Sequence, residues 1–200
     1  DWPYRLSGFA THWNKNTNLA HAFDVWLLNL FPRERPFAFN GGGYLTLNFV
    51  PSLATMIFGL IAGGVLRAPW PERQRLRFLV TAGLGGLVLG AFLHFTGINP
   101  IVKRIWTPAW TPFSSGWVTL ILAGCYYVVD VKRWRSGWTM PFLVVGANSI
   151  AMYVLVHVAV DYVERAFVIH LGSAPFEIVG VAFAPVLLGA ATLGVFWVIL

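Results

Sequence analysis

The chain has 200 residues, of which 57% are hydrophobic and only 11% are charged. A soluble domain carries roughly 25% charged residues because its surface faces water, so this composition argues against a soluble enzyme. Ten Trp and sixteen Phe argue against intrinsic disorder. The net charge of +6 would fit a nucleic-acid partner only on a soluble basic face, and a single cysteine leaves no internal disulfide. The composition is that of an integral membrane protein without a nucleic-acid partner.

Residues 1–47 are predicted to form an extracytoplasmic segment that carries a helix on the membrane surface. Apolar residues recur at three- and four-residue spacing from Leu19 to Leu30, with Asn16 and Thr17 as candidate N-caps and Pro32 as the stop. This pattern favours an amphipathic helix in the membrane interface. Because the sequence opens without Met or a signal-peptide pattern, we expect it to be a piece of a longer protein.

Five later stretches reach the length of about 20 mostly apolar residues that a membrane-spanning helix needs. They cover residues 48–66, 78–95, 112–131, 141–163 and 176–200. The predicted fold is therefore all-α, with the segment 1–47 followed by a five-helix transmembrane bundle over 48–200. Two G-x-x-x-G pairs, Gly59 with Gly63 and Gly86 with Gly90, are predicted to pack helices together.

The loops predict the orientation of these spans. Four Arg lie in residues 67–77 and three basic residues in 132–135, which together make seven of the fourteen Lys and Arg. Because cytoplasmic loops are enriched in Lys and Arg, the pattern places the N-terminus outside and the C-terminus in the cytoplasm.

The fourth predicted span carries the candidate catalytic residues. His157, Asp161 and Glu164 follow one another at i, i+4 and i+7, a spacing that places them on one helical face. A His beside a carboxylate is a common general-base arrangement. His94 is predicted at a similar depth, where it could share a pocket with His157 and Asp161. The alternative is that the carboxylates lie at the water interface and His157 bonds a backbone carbonyl.

Other polar residues are candidates for a substrate or cofactor pocket. Asn148, within the fourth span, must hydrogen-bond either another helix or a ligand, and Tyr153 follows it. The loop 97–108 carries Asn99, Lys103 and the interfacial aromatic Trp106. Lys103 lies on the predicted outer side, against the positive-inside trend, which suggests an anionic ligand or a fixed ion pair. No zinc-ligand spacing occurs, so no metal site is predicted.

Taken in order, these motifs resemble a family of transmembrane acetyltransferases. The similar segments are residues 53–63 (LATMIFGLIAG), 99–107 (NPIVKRIWT), 128–132 (VVDVK) and 146–154 (GANSIAMYV). They resemble the heparan-α-glucosaminide N-acetyltransferase-like family, including its bacterial relatives, and follow the order of that family's C-terminal half.

The resemblance implies transfer of an acetyl group from cytosolic acetyl-CoA, as co-substrate, to an amino sugar or glycan across the membrane. It implies a bacterial inner-membrane location and a missing N-terminal half that carries the family's catalytic His, for which this sequence has no counterpart. Asn148 and Tyr153 would line the cavity, while Lys103 and Trp106 would order the outer loop. Two alternatives stay open at this point: a non-catalytic module that binds or transports a glycan or lipid precursor, and assembly with a second copy of the chain.

Overall fold

The computed structural model describes residues 6–135 and 137–200, and these residues form an all-helical protein, as predicted. The helices are α1 (Leu19–Leu28), α2 (Phe49–Arg67), α3 (Glu72–Phe95), α4 (Trp110–Tyr126), α5 (Met140–Ala147), α6 (Ser149–Val158), α7 (Val160–Leu171) and α8 (Ala184–Ile199). A single π-helical turn, Tyr127–Val131, continues α4.

The chain is an integral membrane protein by the length and hydropathy of its helices. Four helical stretches of the described residues are long and apolar enough to cross a membrane: Thr46–Arg67, Glu72–Phe95, Trp110–Val131 and Val181–Ile199. A bent pair, Gly137–Ala147 with Ser149–Val158, makes a fifth if it counts as one span. The predicted all-α membrane fold is therefore confirmed, while the orientation stays a prediction.

The fourth predicted span is not the continuous helix expected over 141–163. The chain bends by 77° between α5 and α6, and the backbone of Asn148 leaves the helical region at the bend. The Asn148 side-chain amide donates to the Val144 carbonyl, 3.1 Å away, which already accepts from the Asn148 backbone N–H. Asn side chains compete in this way with regular helical bonding. A second break follows at Ala159, for which the structure offers no side-chain cause.

The last span starts later than the predicted residue 176. Two short 3₁₀ turns, Ala174–Phe176 and Val181–Phe183, precede α8, and Gly180 between them has a φ of +114°. Residues with a side chain rarely adopt this backbone conformation, whereas glycine adopts it readily. Pro185 then stands in the first turn of α8, where its missing N–H costs no hydrogen bond.

The short N-terminal helix α1 is present, but its cap is Asn18 and not Asn16 or Thr17. The Asn18 side chain accepts a hydrogen bond from His21 N at 2.9 Å, which satisfies a free N–H of the first turn. The helix ends at Leu28, before Pro32 is reached, and the amide of the next residue, Asn29, bonds both backbone groups of Phe37.

A buried carboxylate ties α1 to the start of α2. Asp24 is 3% exposed, and both of its oxygens accept from Thr46 N, at 3.1 and 3.0 Å. A hydrogen bond to an ionised group is stronger than a neutral one. The N-terminal segment is therefore attached to the helices that follow it.

The chain divides into two compact units, one ending at Arg133 and one from Trp134 to Leu200. The first unit contains α1 to α4, and the second contains α5 to α8. The predicted boundary between residues 47 and 48 stays a prediction.

Glycines set the packing inside the first unit. A Cβ atom on Gly86 would lie 2.6 Å from the Pro112 carbonyl oxygen, and one on Gly90 would lie 2.6 Å from Phe113 Cβ. Only glycine lets the two helix backbones approach this closely, so this G-x-x-x-G pair joins α3 to α4 as predicted. In the other pair, a Cβ on Gly59 or Gly63 would meet no described atom within 4 Å, so the packing role predicted for this pair stays a prediction.

Candidate functional site

The loop between α3 and α4 is fixed by buried side chains. Asn99 is 3% exposed, and its Oδ1 accepts from Ala109 N at 2.7 Å. Thr107 is fully buried; its hydroxyl donates to the Pro100 carbonyl at 2.6 Å and accepts from Val102 N at 3.1 Å. Asn99, predicted as a pocket residue, therefore bonds the backbone at the start of α4 and holds the loop in place.

The N-terminal segment lies against this loop. The indole Nε1 of Trp13 donates to the Ile98 carbonyl at 3.0 Å. Trp106 takes a positive φ of 49°, which is uncommon for a bulky residue and is often found where the surroundings impose it. Both tryptophans belong to the walls of one cavity.

This cavity, which we call the terminal cavity, has a volume of about 810 Å³. It lies where α2 and α4 begin and α3 ends. Its polar wall residues come from the N-terminal segment, the turn before α2 and the first turn of α4: His12, Thr17, Asn18, Asn48 and Thr111. The rest of the wall is mostly apolar and includes Trp13 and Trp106. An apolar cavity of this size with a few polar groups is the usual form of a small-molecule site.

A second cavity, the interhelical cavity, lies between α2 and the α3–α4 pair. It has a volume of about 350 Å³, and three residues line both cavities: Phe58, Leu89 and Pro112. Its wall is apolar apart from the hydroxyls of Ser115 and Thr119 on α4. The two cavities therefore adjoin one another, one at the ends of the helices and one beside their apolar middle.

The predicted catalytic group of the fourth span is divided between two helices, and whether its members share one face stays a prediction. His157 lies in α6, whereas Asp161 and Glu164 lie in α7 beyond the break at Ala159. Among residues 6–135 and 137–200, no hydrogen bond or ion pair joins His157 to Asp161. The His157 Nδ1 lies 2.8 Å from the Tyr153 carbonyl oxygen, which matches the alternative of a His satisfied by backbone.

His94 also has a structural partner. Its Nδ1 accepts from Ile101 N at 3.3 Å, which holds the end of α3 to the loop. Since Nδ1 accepts here, the proton of the neutral ring lies on Nε2. His94 belongs to the first unit and both His157 and Asp161 to the second, so the pocket that they were predicted to share stays a prediction.

The other predicted pocket residues differ in their surroundings. Asn148 donates to Val144 O at 3.1 Å and, more weakly, to Leu200 O at 3.5 Å, which favours the helix-to-helix alternative. The Tyr153 ring lies against His157, with ring centroids 4.1 Å apart. Lys103 is exposed. It lies in a turn in which its backbone carbonyl accepts a hydrogen bond from Trp106 N. Of the predicted residues, Trp106 lines the terminal cavity.

Four of the cavity's polar wall residues were not predicted from the sequence: His12, Asn18, Asn48 and Thr111. They come from distant parts of the chain and form no motif. In the part of the chain that the structure describes, no three His, Cys, Asp or Glu side chains lie close enough to hold a metal ion.

No protein-family model, curated protein or solved structure matches this chain. What the protein does therefore rests on its residues, on the motifs they form and on the geometry of the two adjoining cavities.

Proposed function

We propose that this chain is part of a membrane acyltransferase and that its terminal cavity takes the polar acceptor of the acyl group. The ordered motifs that resemble the heparan-α-glucosaminide N-acetyltransferase-like family support acetyl-CoA as the donor and an amino sugar as the acceptor. The mixed lining of the terminal cavity carries the proposal, because its hydroxyls, the His12 imidazole and the Trp106 indole offer both hydrogen-bond donors and acceptors to a polyhydroxyl ligand.

The proposed reaction balances without a further reactant. The amine nitrogen of the sugar attacks the thioester carbonyl, a C–N bond forms, and the C–S bond breaks. The amine loses one proton to a base and the departing thiolate gains one. The resemblance assigns the base to the family's N-terminal half, so the part of this chain is to bind and orient the acceptor.

Positioning is a sufficient role for these residues. Orienting two reactants lowers the barrier because the entropy of bringing them together is lost on binding. The buried bonds of Asn99 and Thr107 hold the loop that carries Trp106, and Trp13 joins that loop to the N-terminal segment. The cavity wall is therefore preorganised on both sides.

The test is acetyl-CoA-dependent acetylation of glucosamine by membranes that carry the full gene. We expect Trp106→Ala to lower kcat/KM by roughly tenfold or more, since misplacing a substrate by a small distance is costly. Trp117→Ala is the matched control, because Trp117 is an exposed α4 residue outside both cavities. Absence of any acetylation of amino sugars, at confirmed expression, contradicts the proposed reaction.

The same assay examines the residues that the motifs imply. If Asn148→Ala and Lys103→Ala both keep the full rate at equal expression, those two assignments are wrong. The proposed acceptor site in the terminal cavity would still stand, because neither residue lines it.

The adjacency of the two cavities also fits a second function, a module that binds or moves a glycan or lipid precursor without acyl transfer. Retained glycan transport in membranes that do not bind acetyl-CoA would favour this function over the first.

A further inference from the structure

We infer that the acceptor is an amphiphile, with its sugar in the terminal cavity and its alkyl chain in the interhelical cavity. This inference rests on the proposed function and names the substrate class of its acceptor site. It follows from the adjacency of the two cavities, which share Phe58, Leu89 and Pro112 as wall residues. A polar ligand alone would leave the apolar interhelical cavity unused.

Two hydroxyls on the cavity walls give a second, independent reason. Thr111 is 5% exposed and lines the terminal cavity, and Ser115 lines the interhelical cavity. Their hydroxyl oxygens are buried and neither has a hydrogen-bond partner. A buried hydroxyl without a partner is unfavourable, and rotation about χ1 can turn either one toward a ligand.

The positions of these hydroxyls match the chemistry of a lipid-linked sugar. Residues 111 and 115 are four apart on α4, so they follow one another along one helical face. They lie where a ligand's sugar would meet its alkyl chain, and the glycosidic and ring oxygens at that junction are hydrogen-bond acceptors. A ligand that accepts hydrogen bonds from both hydroxyls therefore carries oxygen atoms where its apolar tail begins.

The bilayer explains why a bare hydrocarbon chain does not suffice. Lipid tails are as apolar as the side chains of the interhelical cavity, so moving an alkyl chain from bilayer to cavity gains little. Selection must come from shape and from the polar groups. This reasoning favours an amphiphile with a sugar head over an ordinary bilayer lipid or another transmembrane helix.

The first experiment compares two acceptors that share one sugar, methyl and hexadecyl 2-amino-2-deoxyglucoside, in membranes with the full gene. We expect the hexadecyl glycoside to be acetylated with the higher kcat/KM. Gly85→Leu adds a side chain to the wall of the interhelical cavity at a position where a Cβ meets nothing within 4 Å. We expect it to lower the rate with the hexadecyl glycoside by about tenfold, as overfilling a site does, and to spare the methyl glycoside.

Gly59→Leu is the matched control, since Gly59 is equally open but lines neither cavity. It also corrects for partition of the alkyl glycoside into the membrane, which affects both variants alike. Equal loss in both variants, or no loss in Gly85→Leu, overturns the inference. Ala82→Leu, on the same wall, repeats the test if Gly85→Leu fails to accumulate.

The second experiment does not depend on acyl transfer. A hexadecyl glycoside with a diazirine in its alkyl chain is photo-crosslinked in membranes, and the labelled peptides are mapped. We expect labels on α2 and α3 next to the interhelical cavity, competed by the unlabelled glycoside and not by phosphatidylglycerol vesicles. If phosphatidylglycerol vesicles compete as well as the unlabelled glycoside, the cavity holds bulk lipid and the inference is wrong. Absence of labelling next to the interhelical cavity also overturns the inference. Specific labelling without acetylation would refute the proposed reaction alone.

Discussion

The two faces of α3 and α4 in the first unit differ in how they are filled. Between α3 and α4 themselves, Gly83, Gly86, Gly90 and Gly116 bring the backbones into contact, with no room for a single added carbon. Toward α2, the same pair leaves a cavity of about 350 Å³. The first unit thus has one interface closed by glycine and one that leaves a cavity, where Gly85 faces open space.

The difference separates two uses of small residues in a membrane protein. At the closed interface they permit van der Waals contact and close packing, which drive helix association where no hydrophobic force acts. At the open interface a Cβ on Gly85 would meet no neighbour within 4 Å, so this glycine contributes space. We therefore interpret the closely packed α3–α4 interface as the scaffold and the side of this pair that faces α2 as part of the proposed ligand site.

The largest effect is expected from filling the closed interface. Gly86→Leu forces a side chain into the Pro112 carbonyl, and overpacking of this kind lowers the free energy of unfolding by about 3 kcal/mol. Thermal unfolding of the detergent-solubilised protein measures it. Gly59→Leu is the control and should leave Tm unchanged. Equal losses in both variants would erase the distinction between the two faces.

The next effect comes from the loop that closes the terminal cavity. Asn99→Ala leaves the buried Ala109 N–H without its 2.7 Å partner, at a cost of about 2 kcal/mol. Protease sensitivity of the loop 97–108 together with Tm reports the loss. Asn40→Ala removes a similar bond to Gly42 N at a half-buried position, and a loss as large there would mean that burial of Asn99 does not matter.

A smaller loss of stability is expected at the C-terminal end of α2, where hydrogen bonds join it to α3 and α4. Arg75 donates to the Ala68 carbonyl from Nε and Nη2, and to the Tyr126 hydroxyl from Nη1. Because Arg75 is half-buried and screened by solvent, Arg75→Ala should cost about 1 kcal/mol. Arg77→Ala, at an exposed neighbouring position, is the comparison in the same unfolding assay. If Arg77→Ala lowers the free energy of unfolding as much as Arg75→Ala does, the hydrogen bonds of Arg75 do not stabilise the end of α2.

The smallest effect belongs to the contact between the N-terminal segment and the loop. Trp13→Phe keeps the aromatic surface and removes the Nε1 bond to Ile98 O, a change of about 0.5 kcal/mol at an accessible site. Trp26→Phe, which alters an exposed ring on α1, supplies the baseline. Differential scanning fluorimetry of both variants checks whether Trp13 loses more.

The fold was largely predictable because hydropathy reports the length of apolar segments directly. It reports nothing about continuity, so the bend at Asn148 was missed: there the side chain competes for the carbonyl of Val144. Spacing likewise placed His157 and Asp161 on one face only as long as the helix was unbroken. A local backbone break is decided by tertiary packing, which periodicity does not contain.

The site was less predictable than the fold. Trp106 was singled out because Trp is the expected aromatic at a membrane interface and because it lies in the family-like segment 99–107. His12 and Thr111 meet across one cavity although about half of the chain separates them, and no motif links positions so far apart. Even the two glycine pairs, identical as motifs, differ in what surrounds them.

The central claim is that an amino sugar binds in the terminal cavity, and protection from alkylation tests it most directly. In a full-length variant that lacks all other cysteines, Cys125→Ser included, Thr17→Cys places a thiol on the cavity wall. Thr11→Cys places one on the same segment outside the cavity. Saturating glucosamine should slow maleimide labelling of the first thiol and leave the second unchanged. Equal labelling rates with and without glucosamine at position 17 would contradict the claim.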